Sequence, residues 1–454
     1  MGEPKSSVMS RRAFLRDTGR VAAASALAAT AFPHVHAAED NTIRLALIGC
    51  GSRGAGAVGD AMSTQGGPLR LVAMADLFAD RLNGSYEALK GLGDRLDVPE
   101  ERRFVGLDAY KQAMDCLRPG DVVILATPPA FRWVHFAYAI EKGLHVFMEK
   151  PVSVDGPSTR KMLALAEQSV QKNLKVGVGL MCRHCAAREE LYQRLRAGEA
   201  GEIITLRAYR MHDAVGFFTS DPKPEGISHL LYQIQRFHSF LWSGGGAFSD
   251  FYIHNIDECC WMKDAWPVEA QGLGARHYRG NSVDQNFDVY SVEYTFADGA
   301  KLFLDGRCMP GCHNPFASYA HGTKGLVTIS EGGHGAVCRI YRGQTRSREN
   351  LAWDYGRGAP NPYQREWQHL VDAIRQNQPY NEAKRGAEAS LATVMGRMAC
   401  HTGQVVTWDQ VLNHDHELAP DLDKLTLDSP APLQPDADGR YPIPMPGRTG
   451  TREY

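Results

Sequence analysis

The stretch TIRLALIGCGSRGAGAVGDAM, residues 42–62, decides the fold of the first half of the chain. Its apolar run Ile43–Ile48 is typical of a buried parallel strand, and the glycines after it are spaced Gly49-x-Gly51-x-x-Gly54. The first glycine permits a tight turn, the second lets a pyrophosphate approach the backbone, and the third lets the helix pack on the strand. The helix start also offers N–H groups and partial positive charge to phosphate. We therefore predict a dinucleotide-binding loop.

A second apolar run, from Leu69 to Ala75, ends in a carboxylate that bears on the choice of dinucleotide. Asp76 follows the glycines at the spacing where an acidic residue accepts hydrogen bonds from the adenosine ribose hydroxyls. A phosphate on that ribose would meet a like charge, with only Arg81 nearby to offset it. The pattern favours NAD over NADP. The alternative is a solvated aspartate in a turn between a strand and a helix.

Strands and helices alternate from this point to about residue 180. Strands are predicted over residues 121–126 and 145–148, and helices over residues 108–117 and 131–142. The stretches PSTRKMLALAEQSVQKN and KVGVGL continue the pattern as a helix and a strand. Such alternation predicts a doubly wound parallel sheet with helices on both faces. We assign an α/β Rossmann domain to residues 42–180.

Two loops follow strands of this predicted sheet, ATPP at residues 126–129 and EKPVS at residues 149–153. Ligands of open α/β sheets lie beyond the carboxyl ends of the strands, so Lys150 is expected to reach the cleft. There it can hydrogen-bond a substrate hydroxyl and stabilise charge on its oxygen; the alternative is a solvated turn charge. The predicted cofactor-binding residues are Gly49, Gly51, Ser52, Arg53, Gly54, Asp76, Thr127, Pro128, Glu149 and Lys150.

The pattern of apolar and polar residues changes after residue 200, where runs such as FDVYSVEYTFADGAKLFLDGRCM alternate between the two. This period of two predicts a mostly antiparallel sheet, and we assign an α+β domain to residues 181–405, with helices packing back on the Rossmann domain. Within it, Asp250, His254 and Asp257 recur at helical spacing and share one face. A histidine beside a carboxylate is a plausible general base. The alternative is a packed helix with polar turns.

Four motifs in order, GCGSRG, ATPP, AIEKGLHVFMEKP and GGAFSDFYIHNID, resemble the Gfo/Idh/MocA family of glucose-fructose oxidoreductases and inositol dehydrogenases. The resemblance covers roughly residues 42–400 and implies a Rossmann domain followed by an open, mostly antiparallel sheet. It also implies oxidation of a sugar or polyol hydroxyl, with hydride passing to C4 of the nicotinamide. By this resemblance His254 is the acid/base, Lys150 contacts the reacting oxygen, and Asp250 contacts substrate hydroxyls or the His–Lys pair.

The resemblance further implies substrate contacts and subunit pairing. Arg183 and His184 follow the KVGVGL strand where the family places substrate contacts, and Asp257 and Tyr252 complete the predicted substrate set. Tyr252 stands where family members often carry glycine, and Arg132 stands where they often carry histidine, so the substrate remains open. A homo-oligomer is expected from the resemblance alone.

The composition of the chain limits the classes of partner that it is expected to bind. The 454 residues carry a net charge of −2 with 22% charged residues, so no strong field favours nucleic acid or an anionic membrane. No run after the first 37 residues approaches the roughly 18 apolar residues that a spanning helix needs. The pairs Cys182/Cys185 and Cys308/Cys312 permit a metal or redox reading, but we expect buried thiols and no metal.

Residues 10–19, SRRAFLRDTG, precede an alanine-rich run and a small-residue exit at Ala37. This arrangement predicts a twin-arginine signal peptide over residues 1–37 and export to the periplasm. That route carries folded, cofactor-loaded proteins into a compartment where no free nicotinamide cofactor is expected. We therefore expect tightly bound NAD that is regenerated in place.

Regeneration in place is compatible with two catalytic cycles. One sugar can be oxidised and a second reduced, or transient oxidation can permit elimination, water addition and re-reduction, as in a redox-neutral glycoside hydrolase or lyase. A non-catalytic sugar-binding protein is the third alternative. The proline-rich tail over residues 406–454 is expected to be extended on its own subunit or a partner, or else disordered.

Overall fold

Six parallel strands form the first sheet of the computed structural model, which describes residues 41–277, 279–335 and 337–454. The predicted signal peptide and its cleavage point after Ala37 lie outside these residues. The strands are β1 Ile43–Ile48, β2 Leu69–Asp76, β3 Arg103–Val105, β4 Val122–Leu125, β5 His145–Met148 and β6 Val176–Val178. The helices that cover them are α1 Ser52–Met62, α2 Ala79–Leu89, α3 Ala109–Asp115, α4 Arg132–Glu141 and α5 Gly156–Gln171.

The strand order is β3-β2-β1-β4-β5-β6, which confirms the predicted doubly wound sheet. Parallel strands with both faces covered are apolar throughout, as in β1, where five of six residues are buried. The chain changes direction between β1 and β4, and ligands of such sheets bind at this switch point. The fold therefore directs attention to the loops after β1 and β4.

Nine strands form the second sheet, in the order β14-β13-β12-β11-β7-β10-β9-β8-β15. All neighbours are antiparallel except β7 and β10, so the expected α+β architecture is confirmed. The strands are β7 Ile203–His212, β8 Glu269–Ala275, β9 Val289–Thr295, β10 Lys301–Cys308, β11 Phe316–Gly322, β12 Gly325–Glu331, β13 Arg339–Arg342, β14 Leu351–Asp354 and β15 Val406–Thr407. The remaining helices are α6 Ala186–Arg196, α7 His229–Gln235, α8 Leu241–Gly244, α9 Gly246–Lys263, α10 Pro362–Arg375, α11 Ala383–Thr402 and α12 Trp408–Leu412.

Helices α9 and α11 cover one face of the second sheet. Phe248 and Ile256 of α9 and Leu391 and Met395 of α11 are fully buried in a core shared with strand β9. Helix α10 returns to the first sheet, where Trp367 stacks on Phe147 with ring centroids 4.4 Å apart. Helices α9 and α11 also contribute Ile253 and Ala387 to the Rossmann core, so these two helices join the two sheets.

The C-terminal segment packs on its own chain. Apolar side chains such as Leu433 and Tyr441 are buried in a cluster with α8, and Glu453 is buried against α11. The prediction of an extended tail from residue 406 missed β15 and α12 at its start. Helix α12 is only five residues long, and its Thr407–Gln410 capping box stabilises a turn too short for a periodic apolar pattern.

All ten cysteines are free thiols, and eight of them are buried. Over the described part of the chain, no helix is both long and apolar enough to cross a bilayer. The same residues contain no group of three or more His, Cys, Asp or Glu side chains that could hold a metal ion.

Candidate functional site

A cleft of about 1040 Å³ opens at the carboxyl ends of β1, β2, β4 and β5. One wall comes from the Rossmann sheet and the other from the second sheet and helix α9. All ten residues predicted to bind the cofactor lie on the first wall, and Asp250 and His254 lie on the second. The tertiary structure therefore brings the two halves of the predicted site together.

The glycine-rich loop has the shape that a pyrophosphate requires. Gly49 has a φ of +95°, and a Cβ there would lie 2.6 Å from the backbone carbon of Ala126. A Cβ on Gly54 would lie 2.1 Å from the Gly49 carbonyl oxygen, so helix α1 packs on the loop only with glycine there. A Cβ on Gly51 would meet nothing within 4 Å. The N-terminus of α1 thus faces open space, as phosphate binding requires.

Asp76 lies at the end of β2 beside this loop. Its Oδ2 accepts a hydrogen bond from the Cys50 N–H at 2.6 Å, and its Oδ1 accepts one from the Phe78 N–H at 2.9 Å. Burial raises the pKa of Asp76, although both N–H groups oppose the shift. A smaller apolar cavity, walled in part by Leu107 and Ile234, adjoins the carboxylate and suits a flat aromatic ring. The arrangement fits an adenosine with its ribose at Asp76.

Glu149 links the loop after β5 to the first turn of α1. Arg53 donates from Nε to Glu149 Oε1 at 3.1 Å, and its Nη2 also contacts that oxygen. The guanidinium lies 5.0 Å from the ring of Tyr363, which helix α10 brings to the cleft. This pairing positions the start of α1, and sequence reasoning did not foresee the partner.

Arg132 braces the loop after β4. It is 1% exposed and donates hydrogen bonds to the carbonyl oxygens of Thr127, at 2.8 Å, and Leu125. Burial lowers the pKa of Arg132 to about 10, so the guanidinium stays charged at neutral pH. This residue holds Thr127 and Pro128 on the cleft wall.

Lys150 and Asp250 meet across the cleft. The Lys150 ammonium donates to Asp250 Oδ1 at 3.0 Å and to the Asp250 carbonyl oxygen at 2.7 Å. Asp250 Oδ2 lies 3.7 Å from His238 Nε2. Burial would raise the pKa of Asp250, but Lys150 and His238 hold it below its usual value. The carboxylate is therefore ionised and orients the ammonium.

His254 lies one helical turn beyond Asp250 on α9. The side chain lines the cleft, its ring centroid lies 4.6 Å from that of His334, and its buried Nδ1 has no hydrogen-bond partner among the described residues. That leaves Nε2 as the ring nitrogen that can face the cleft. Burial, and then His334 and Lys150, lower the pKa of His254 well below its usual value. The imidazole is neutral at neutral pH and can accept a proton.

Asp257, on the far part of α9, and Arg183 were both predicted to contact substrate, but neither lines the cleft. Asp257 is 1% exposed and pairs with Arg183, whose Nη2 donates to Oδ1 at 2.8 Å. Helical periodicity correctly predicts that Asp257 and Asp250 share one face of α9. The helix rises about 1.5 Å per residue, however, so Asp257 lies about 10 Å further along the axis, past the cleft. Its carboxylate and Arg183 form a buried structural pair.

Two further predictions about the substrate are corrected by the structure. Tyr252 is 1% exposed and points at the second sheet, where a Cβ on Gly306 would lie 2.2 Å from its ring. It therefore does not contact a substrate in the cleft. His184 is buried between His369, with the two Nδ1 atoms 2.9 Å apart, and Glu382, with its Nε2 3.2 Å from Oε1. Neither side chain lines the cleft.

The structure adds cleft residues that no motif indicated. Residues 228–239, here called the strap, contribute Ile234 and His238 to the cleft lining. Arg81 of α2 donates to the Gln235 carbonyl oxygen in the strap at 2.9 Å. Strand β7 and the turn after β12 add Arg210 and His334. All lie far apart in sequence, so only folding reveals their proximity.

Comparison with known proteins agrees with this geometry. Residues 43–179 match the family model described as "Oxidoreductase family, NAD-binding Rossmann fold". The rhizopine catabolism protein MocA of Rhizobium meliloti is 24% identical over 210 residues, 45% of this chain and 59% of that protein. The scyllo-inositol 2-dehydrogenase (NAD(+)) of Bacillus subtilis is 26% identical over 272 residues, 59% of this chain and 71% of that enzyme.

The fold likeness extends over both domains. The aldose-aldose oxidoreductase of Caulobacter crescentus, solved with glycerol, superposes with a TM-score of 0.60 at 17% identity, covering 81% of this chain and 99% of that one. The sequence matches are shorter, and the chain aligns with about half the length of several curated relatives. Residues 43–179 therefore form an NAD-binding Rossmann domain similar to that of the Gfo/Idh/MocA oxidoreductase family, and the two-sheet fold is shared with the solved structure.

Proposed function

We propose that the protein is an NAD-dependent oxidoreductase that acts on a hydroxyl group of a sugar or polyol. The observation that carries this proposal is the placement of Lys150, Asp250 and His254 across one cleft from the glycine-rich loop. Sites of this kind perform acid/base chemistry on a hydroxyl while a bound cofactor accepts a hydride.

The residues of this chain supply the proton chemistry and the orientation. Bound NAD would supply the hydride acceptor, held by the loop around Gly51 and by Asp76. The neutral His254 accepts the hydroxyl proton through Nε2. Lys150 donates a hydrogen bond to the same oxygen and stabilises its developing charge. Asp250 orients Lys150 through the 3.0 Å contact and offers its other oxygen to a neighbouring hydroxyl.

We further propose that NAD is retained between turnovers and that the protein works after export to the periplasm. The twin-arginine motif supports the export proposal, and the strap supports retention. Ile234 of the strap lies on the apolar cavity beside Asp76, and Arg81 links α2 to the strap through the Gln235 carbonyl oxygen. A strap held in this place would slow the release of a dinucleotide.

Retention is tested on the purified full chain without added cofactor. Mass spectrometry of the denatured protein is expected to show released NAD at close to one equivalent, and active protein without any dinucleotide would overturn the proposal. Fractionation of the producing cells tests export, since the Arg11→Lys/Arg12→Lys variant should remain in the cytoplasm.

Turnover separates the two catalytic cycles and the non-catalytic alternative. Paired sugars and carbonyl acceptors should interconvert without added NAD in the first cycle, whereas a glycoside panel should release free sugar in the redox-neutral cycle. Lys150→Met and His254→Asn should strongly lower either activity, and His254→Asn should leave the amount of released NAD unchanged. Absence of turnover with every substrate, in the wild type as in the variants, would favour a sugar-binding protein.

A homo-oligomer is also proposed. Its support is the family resemblance together with exposed apolar side chains on the second sheet, where Leu273 of β8 is 68% exposed and Ile204 of β7 is 53% exposed. Large apolar surface on a sheet commonly marks a protein interface. Light scattering on the purified protein tests the proposal, and a monomer at micromolar concentration would refute it.

A further inference from the structure

Among the described residues, Arg210 of strand β7 forms no ion pair with a carboxylate. Its Nε atom is buried without a hydrogen bond, and no carboxylate among the described residues lies within ion-pairing distance of its guanidinium. The guanidinium carbon lies 3.7 Å from the ring centroid of Phe316 and 4.6 Å from that of Phe251. The two rings hold the group in place without neutralising it.

Three other enclosed arginines of the second domain each have a carboxylate partner. Arg183 pairs with Asp257, Arg188 pairs with Glu258, and Arg397 pairs with Glu453. A buried charge without a partner is costly, so proteins usually supply one. Arg210 is only partly buried, but its Nε is enclosed without a hydrogen bond, and it lines the cleft, where a ligand can provide an anion.

The position of Arg210 relates it to the reacting groups. Phe316, which contacts the guanidinium, also packs on His334 with ring centroids 4.7 Å apart. His334 in turn packs on His254. Arg210, His334 and His254 therefore form one continuous wall, so a molecule whose hydroxyl reaches His254 can present another group to Arg210.

We propose that the substrate is a sugar that carries a carboxylate, and that Arg210 binds this carboxylate. The proposal rests on the function proposed above and names the substrate class of the same cleft. The planar fork of a guanidinium matches the two oxygens of a carboxylate and forms paired, charge-assisted hydrogen bonds. A neutral polyol would leave the arginine uncompensated.

The local charge favours a carboxylate over a phosphate. Lys150 is paired with Asp250, and burial lowers the pKa of His334 to about 3, so that ring is neutral. His254 is neutral as well, for the reasons given above. Among the described residues of this wall, Arg210 then carries the one charge without an ion pair, which matches a monoanion. A phosphate monoester carries about −1.5 to −2 at neutral pH.

Calorimetric binding to the NAD-loaded full chain tests this inference directly. The probes are D-glucuronate and D-galacturonate, each against its neutral parent D-glucose or D-galactose, with D-glucose 6-phosphate as the phosphate probe. We expect at least one acid to bind the wild type about tenfold or more tightly than its parent, because charge-assisted hydrogen bonds contribute that much. Arg210→Gln should remove this preference.

Arg207→Gln is the matched control. Arg207 lies on the same strand, donates to His321 at 3.1 Å and does not line the cleft, so its variant should keep the preference for the acid. Arg210→Lys keeps the positive charge but lacks the planar guanidinium, so it should lose part of the preference for the acid. It also serves as the test if Arg210→Gln does not fold, as judged by retained NAD.

Three outcomes would overturn the inference: a wild type that binds neither acid more tightly than its parent, an acid preference that persists in both Arg210 variants, or tighter binding of the phosphate than of both acids. The function proposed above can fail separately. If an acid binds through Arg210 but no sugar is ever oxidised, the inference stands and the oxidoreductase proposal falls. If neutral sugars are oxidised and the acids do not bind, the oxidoreductase proposal stands and the inference about Arg210 falls.

Discussion

Replacing Glu453 with glutamine is expected to destabilise the protein by about 3–5 kcal/mol, because it leaves a buried arginine without its anion. Glu453 accepts hydrogen bonds from Arg397 Nε and Nη2, both at 2.8 Å, and its Oε1 lies 2.7 Å from His401 Nδ1. Arg397 is fully buried. Glutamine keeps the shape of the side chain and removes its charge, so the loss reports the ion pair rather than a cavity.

This pair also supports the candidate site. Arg397 donates to the Gly245 carbonyl oxygen at 3.0 Å, at the start of the helix that carries Asp250 and His254. It donates to the Val154 carbonyl oxygen at 2.7 Å, in the loop that follows Lys150. Loss of the anion should therefore lower turnover at a temperature where the variant is still folded.

Urea unfolding followed by tryptophan fluorescence, at one protein concentration, measures the loss of stability. Glu190→Gln is the control, because Glu190 forms an exposed pair with Arg194 that is expected to contribute only about 0.2–1 kcal/mol. If the two variants lose the same small amount, the assignment of Glu453 as an anchor is wrong.

The pH dependence supplies a second test of the same pair. Burial would raise the pKa of Glu453, but Arg397 and His401 hold it well below its usual value. Because the pKa of Glu453 is lower in the folded state, its ionised carboxylate stabilises that state fully above the unfolded-state pKa of about 4.3. This contribution is lost progressively as the pH falls below that value. The stability difference between wild type and Glu453→Gln should be constant from pH 6 to 8 and shrink under more acidic conditions. A difference that grows on acidification would contradict the pairing.

Three further predictions concern the cleft. Asp76→Asn should weaken NAD binding by about tenfold and reduce the preference over NADP, which dinucleotide analysis of the purified variant can show; unchanged NAD content would argue against ribose binding. His254→Asn should lower kcat by about 10²–10⁴, and because the pKa of His254 is depressed, wild-type activity should persist below pH 6.5 and fall only under more acidic conditions. An acid limb centred at or above pH 6.5 would exclude the neutral imidazole as the base. Arg81→Ala should release the strap and shorten NAD retention during gel filtration, whereas retention equal to the wild type would mean that this contact does not close the cleft.

The Rossmann half could be predicted because its signals are local. A strand, the tight turn at Gly49 and the helix after it follow one another along the chain, so the spacing of three glycines predicts the loop. Strand β1 was predicted with its observed bounds, and β2 was missed by a single residue. Lys150 was identified because its motif follows the end of a strand. His254 was identified because its motif has the spacing of one helical face.

The errors arose where a side chain's direction depends on what packs against its element. Helical periodicity shows which residues share a face, but not how far along that face a cleft extends, and Asp257 lies past its end. It also does not show which neighbour meets the opposite face, where Tyr252 fills the space left by Gly306.

The sequence by itself determined the doubly wound domain, the cofactor loop and the catalytic candidates, because the hydrogen bonds and apolar periodicities involved join residues close together in the chain. Only the tertiary structure decided which charges lack partners. The unpaired Arg210, the strap over Asp76 and the anchoring of residue 453 on Arg397 depend on long-range packing, since burial and pairing arise only when distant strands and helices meet.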